Sequence, residues 1–342
     1  LDFEYSRDEL MFLMSNDSDG FNRWEAGQRL GVDVILELTD QIRSGKAPYS
    51  LAVDDRLVKA FESNLNQAVE HHTDGGVDKA MLAETLMLPS ENYLAELSAE
   101  VDVDAIHAAR ELVRDTLAER LKGIFLSVYK LNLNPREYSP DADQIAERAI
   151  RNVCLSYLLQ PSDSEMISLA VAQYEQSDNM TDCSAALRVL INARSEKAAE
   201  PKEKALSHFF QKWEHEALVI DQWFTMQAVS QLPGAIDRVT ALMSHPAFTL
   251  NNPNRVRSLI GAFAQNRLHF HDISGRGYEF LADRIIELNK LNPQIAARLM
   301  APLSRWQKFD AGRQEKMKAQ LERILAEENL SPDVFEIASK SL

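Results

Sequence analysis

The chain has 342 residues, 45% of them apolar, and a formal charge of −15. That length and apolar content allow one large domain or two modest ones with a substantial core, so disorder is not the default. There is no run of about 18 apolar residues and no basic-then-apolar leader, so a spanning helix is excluded and a cytoplasmic location is expected. Two cysteines, Cys154 and Cys183, are too few for a disulfide framework, and both sit in apolar helical patterns that suit buried thiols.

In chain order, "LDFEY" (1–5) reads as an extended segment, the tail of a strand belonging to an upstream β domain. Ser6 with Glu9 three residues later is a capping-box start, and from residue 6 to 342 nearly every segment has helical period. In residues 104–131 the apolar positions Ile106, Leu112, Val113, Leu117, Leu121, Ile124, Phe125 and Val128 recur at threes and fours between charges. Polar breaks near Ser44 to Tyr49, Thr73 to Val77, Asn132 to Asp141, Ser162, Glu196 to Glu203, His245 to Asn254, His271 to Gly277 and Ser331-Pro332 cut the chain into on the order of fifteen helices. Asp141, Thr181 and Asp310 stand where N-caps are expected. Trp24, Trp213, Trp223 and Trp306 fall in helical patterns that suit packing between helices. The fold class expected is all-α: a right-handed stack of antiparallel helical pairs, an armadillo- or HEAT-like superhelix with degenerate repeats.

Charge is uneven. Residues 251–342 hold 14 Lys and Arg against 11 Asp and Glu, a net of +3, which leaves −18 for the rest. The two parts therefore present different faces to partners, and neither has the dense basic surface that nucleic acid requires.

Catalytic signatures are sparse. His71 and His72 are adjacent, pointing about 100° apart on a helix, whereas a helical metal pair needs a spacing of four, as in H-E-x-x-H, which is nowhere present. His269 and His271 in "HFHD" lack a clear third ligand, and His208 and His215 suit a surface or packing role. "SGRGYEFL" (274–281) follows no strand and reads as a turn into a helix. No catalytic or metal-ligating residue is assigned to this chain.

Two helix starts stand out. In "NNPNRVRSLIGAF" (251–263), Asn252 can cap and Pro253 suits the first helical position, but Arg255 and Arg257 place positive charge where the helix dipole disfavours it. Val256, Leu259, Ile260 and Phe263 form the apolar stripe, so the two arginines lie on opposite flanks and only one can face a given cleft. In "LNPQIAARLMAPL", Asn292 and Pro293 repeat the device, and Gln294 and Arg298 share a face. A guanidinium with neutral amide neighbours suits a carbonyl or carboxylate; the alternative is an arginine stem covering a core edge.

The stretches "DGFNRWEAGQRL" (19–30), "LMLPSENYLAEL" (86–97), "ERAIRNVCLSYL" (147–158), "NMTDCSAAL" (179–187), "KWEHEALVIDQWF" (212–224), "NNPNRVRSLIGAFAQN" (251–266), "NPQIAARLMAPL" (292–303) and "FDAGRQEKMKAQLE" (309–322) resemble, in order, the C-terminal helical domain of the bacterial alanyl aminopeptidases, gluzincin zinc peptidases. The resemblance implies a capping domain over residues 6–342 that closes the active-site chamber of a larger enzyme. Zinc and its H-E-x-x-H motif would belong to an upstream catalytic domain absent here, so this chain would bind no cofactor and would not hydrolyse peptides alone. It also implies that Arg257, Gln294 and Arg298 contact the leaving-group side of peptide substrates, while Arg255 serves structure. The expected partners are the upstream catalytic and β domains and peptides, with no nucleic acid and no membrane. A second reading is a free-standing helical-repeat scaffold that binds a peptide or protein in its groove.

Overall fold

The computed structural model describes residues 3–72, 75–133, 136–160 and 163–342. Among them there is no strand, only an isolated parallel bridge between Val101 and Phe309, and helices follow one another almost without pause. The chain forms two compact units: one runs to Leu94 and resumes over Ala105–Ala205, the other comprises Ala95–Asp104 and Leu206–Leu342. No helix of the described residues is long and apolar enough to cross a membrane.

Local chemistry sets most helix starts. The Ser6 hydroxyl accepts from Glu9 N–H while Glu9 bonds back to Ser6 N–H, a complete capping box opening Arg7–Asn16. Asp141 caps Ala142–Leu158 and Asp310 caps Ala311–Leu325, both as expected from sequence. Thr181 is not a cap: Asn179 accepts from Asp182 N–H at 2.9 Å, so the helix Met180–Ile191 begins earlier. Asparagine outranks threonine at this position, and the Asn179 amide also donates to the Asp182 carboxylate at 2.8 Å.

The chain is cut differently from its polar breaks. The periodic stretch 104–131 is two helices, Val103–Arg120 and Lys122–Leu131, separated at Leu121, whose φ of −110° and ψ of 13° are not helical. The apolar period survives because the Leu121 and Phe125 amides still reach back four residues, to Leu117 and Leu121. Conversely, Glu196 to Glu203 is no gap: a short 3₁₀ turn, Glu196–Ala198, leads straight into Ala199–Trp213. Pro201 is tolerated because it stands in the first turn, where amides lack intrahelical partners. Thr73 and Ser162 lie outside the described residues, as do Leu1 and Asp2 of the extended N-terminal segment; Phe3 to Tyr5 have no regular structure.

In the first unit, Arg7–Asn16 packs on Gly20–Arg43 and Asp55–Glu70, and Ala142–Leu158 receives Lys79–Thr85, Lys122–Leu131 and Met180–Ile191. Helices thus pack on neighbours close in the chain, such as Lys122–Leu131 on Ala142–Leu158, and on helices further back, such as Lys79–Thr85 on Ala142–Leu158. Leu30, Ile35, Leu57, Phe61 and Phe125 are fully buried, each stabilising by about 1.5–3 kcal/mol. Phe125 stacks on Tyr157 at 4.6 Å, and the Tyr157 hydroxyl donates to the Leu86 carbonyl at 2.8 Å. Cys154 is buried here, and burial pushes its thiol pKa up; Cys183 is half-buried. A buried ionic network interrupts this core. Asp182, 1% exposed, accepts from Arg151 and from the amides of Asn152 and Asn179. Such saturation is what makes a buried carboxylate tolerable.

In the second unit, Arg276–Leu291 packs on Pro293–Leu299 and Ala311–Leu325, and Pro332–Ser341 closes against the latter two. Phe263 meets Phe270 and Phe280 edge-on at 6.1 and 5.5 Å. Gly277 is required by space: a Cβ there would lie 2.2 Å from the Phe270 carbonyl oxygen.

Candidate functional site

The residues singled out by sequence lie in the second unit, on two helices that open with the same Asn-Pro device. Asn252 accepts from Asn254 N–H at 2.9 Å and from Arg255 N–H at 3.4 Å, with Pro253 at the first position. Asn292 accepts from Ile295 N–H at 3.2 Å, with Pro293 following. Val256, Leu259, Ile260 and Phe263 are all fully buried, which fixes the rotation of the first helix.

That rotation separates the two arginines. Arg255 is only 8% exposed. Its Nε donates to the Ala247 carbonyl at 3.0 Å, its Nη1 to the Ala217 carbonyl at 2.8 Å and to the Asp221 carboxylate, and the guanidinium lies 5.8 Å from the Phe224 ring centre. Ser258 joins the same network by donating to Asp221 at 3.3 Å. Arg255 therefore ties its helix to Ala217–Ala228. Arg257 is exposed and turns back on its own first turn, donating to the Pro253 carbonyl at 3.2 Å and to Asn254 Oδ1 at 3.1 Å. Both acceptors are neutral, so its charge has no carboxylate partner among the described residues.

Between the two ends of this helix the backbone loosens into a π turn over Arg257–Gly261, with Ala262 N–H reaching the Arg257 carbonyl five residues back. Such turns are rare and concentrate at functional positions, because one widened turn re-aims the side chains around it. Nothing in the residue types announces it. Gly261 sits at its end, where an added Cβ would lie 3.7 Å from Leu299 and 3.9 Å from the Arg257 Cβ. Gly261, one turn beyond Arg257, thus faces Leu299 of the helix that carries Arg298. Gln294 and Arg298 are both exposed, on one face of Pro293–Leu299, and among the described residues neither side chain makes a hydrogen bond or ion pair.

His269 and His271 do not converge. His271 is buried, its Nδ1 3.0 Å from the Tyr278 hydroxyl and its ring stacked 4.2 Å from Phe309. Burial, reinforced by the charges of Arg267 and Arg313, lowers its pKa to about 3. The backbone carbonyl of His271 accepts from Arg313 Nε at 2.7 Å, and Arg313 is held in turn by Asp104 and Asp310 at 2.6 and 2.9 Å. His269 meets the Gln231 carbonyl instead, at 3.0 Å. Among the described residues no three His, Cys, Asp or Glu side chains are grouped to hold a metal ion.

Comparison with known proteins follows this helical frame. Residues 7–342 match the family described as "Domain of unknown function (DUF3458_C) ARM repeats". The whole chain is 39% identical to aminopeptidase N of Haemophilus influenzae and 38% identical to that of Escherichia coli, spanning 38% of each; 96% of it aligns with the Caulobacter vibrioides aminopeptidase N at 38% identity, spanning 36% of that protein. Among solved structures, Legionella pneumophila aminopeptidase A in complex with aspartic acid superposes with a TM-score of 0.85 at 30% identity, covering 99% of this chain and 39% of that one. The chain therefore belongs to the DUF3458_C family of ARM-repeat domains and is homologous to the C-terminal region of bacterial aminopeptidase N.

Proposed function

We propose that this chain is the non-catalytic helical domain of a zinc aminopeptidase that releases N-terminal residues from peptides. In that role it closes the active-site chamber, limits substrate access and contacts the leaving-group side of the peptide. The observation that carries the reading is the full-length identity of 38–39% to proteins of which the chain spans only 38%. Zinc and bond cleavage would then reside in the remainder of the parent protein.

Arg257, Gln294 and Arg298 are the side chains assigned to substrate. Their exposure, their lack of carboxylate partners and the π turn beneath Arg257 support the assignment. A guanidinium keeps its charge at every working pH and offers two parallel donors, which suits a peptide carbonyl or C-terminal carboxylate. Gln294 adds a neutral amide on the same face. Holding the substrate chain and excluding bulk water would sharpen positioning without breaking a bond.

An aminopeptidase assay of the isolated chain beside the full-length parent, each with measured zinc content, tests this. Activity and zinc are expected in the parent alone; hydrolysis by the isolated chain would overturn the reading.

A further inference from the structure

A cavity with a mixed polar and apolar lining lies wholly within the first unit, far along the sequence from the arginines discussed above. It measures about 670 Å³ and is walled by Lys122–Leu131, Ala142–Leu158, Ser164–Gln176 and the start of Met180–Ile191. Its size falls in the range of small-molecule sites, about 300–1,000 Å³.

Three arginines line it, and they differ in what they already hold. Arg151 is neutralised by Asp182, and Arg136 donates to Glu147 at 2.7 Å. Arg148 has no carboxylate partner among the described residues, although it is only 7% exposed. Its two hydrogen bonds go to neutral acceptors, Gln144 Oε1 at 3.3 Å and the Ser139 carbonyl at 3.2 Å. Charge-assisted bonds are normally shorter, about 2.7–2.9 Å, and a guanidinium has five N–H donors. A buried cation with spare donors and no counter-charge is costly unless something supplies the negative charge. The Tyr138 ring, 5.1 Å from the guanidinium carbon, holds it in place without neutralising it.

We propose that this cavity binds a small organic monocarboxylate, its carboxylate on Arg148 and its apolar body along Leu133, Leu169 and Ala172. The other lining charges select the class. Asp182 is saturated by Arg151, Asn152 and Asn179 and repels little. Asp178, exposed at the rim, disfavours a multiply charged anion, so a carboxylate is preferred over phosphate. The apolar lining rewards a hydrocarbon tail that an inorganic ion lacks.

Isothermal titration of the full-length parent with hexanoate tests this, with hexanol and inorganic phosphate as comparison probes. Saturable one-to-one binding of hexanoate is expected, with hexanol and phosphate each weaker by about tenfold or more, the effect of one charge-assisted pair. Arg148→Gln should weaken hexanoate by a similar factor, and Arg148→Lys by less. Equal binding of phosphate, or unchanged affinity in Arg148→Gln, would overturn the proposal. Should Arg148→Gln fail to fold, a crystal structure of the unsubstituted parent with hexanoate decides: a carboxylate seated on Arg148 supports it, and an empty cavity overturns it. None of these outcomes depends on the peptidase reading.

Discussion

Arg255 and Arg257 stand two residues apart on one helix and do opposite things. Arg255 is buried among two carbonyls, an aspartate and an aromatic ring, and its Nε and Nη1 donate inside the protein. Arg257 is exposed and bonds only to neutral groups of its own turn. Residue type and sequence neighbourhood are the same, so the difference comes from rotation about the helix axis, set by the buried stripe from Val256 to Phe263. An arginine near a helix N-terminus therefore tells little by itself. What it faces decides whether its unfavourable position is offset within the fold or left available for a partner.

The strongest way to break this contrast is to remove the anchored arginine. Arg255→Met should destabilise the protein by about 3 kcal/mol or more, since it strands the Asp221 carboxylate and two carbonyls, as read from the urea midpoint; a loss below about 1 kcal/mol would show the anchor to be ornamental. The glycines sharpen the same point about what each helix faces. Gly277→Ala should cost about 2–3 kcal/mol because the obstacle is a backbone carbonyl that cannot step aside. Gly261→Ala meets only ordinary contacts and should gain about 0.5–1 kcal/mol from helix propensity. A comparable loss at both would mean that the seam at Leu299 is tighter than its spacing implies.

A further effect concerns pH. His271 titrates near 3 in the fold and near 6.5 when unfolded. Below about 6.5 the unfolded chain takes up a proton that the native chain refuses, so stability falls as pH falls, by up to about 1.4 kcal/mol per unit. Between pH 6 and 5 this group should give most of that slope, and His271→Gln should flatten it in urea titrations. An unchanged slope would mean that the ring is protonated in place. Three groups meet the ring directly, Phe270, Tyr278 and Phe309, while the charges of Arg267 and Arg313 act on it from nearby; both charges are positive, which keeps the sign unambiguous.

Much of the frame was legible because it rests on short-range chemistry. The caps at Ser6, Asp141, Asn252, Asn292 and Asp310, and the opposite flanks of Arg255 and Arg257, follow from side chains reaching amides within one turn and from a 3.6-residue period. The same logic misplaced what depends on competition or on distant partners. Asn179 outcompeted Thr181, Leu121 interrupted a stretch whose period continued through it, and Pro201 entered a helix at the one turn that accepts it. The π turn at Arg257–Gly261 had no residue signature. Arg148 and Arg151 lie three residues apart on the helix Ala142–Leu158, and their spacing alone does not separate their roles. Only the tertiary structure gives Arg151 an aspartate and leaves Arg148, on the same cavity, with neutral acceptors.

The claim that Arg257 is available for substrate is tested most directly by steady-state kinetics of the full-length parent carrying Arg257→Ala, with peptides compared against chromogenic amino-acid amides. Loss of a contact to the leaving-group side predicts kcat/KM for peptides falling by about tenfold or more, with amides changed far less and the urea midpoint held within about 0.5 kcal/mol. Equal loss on both substrate types would contradict it.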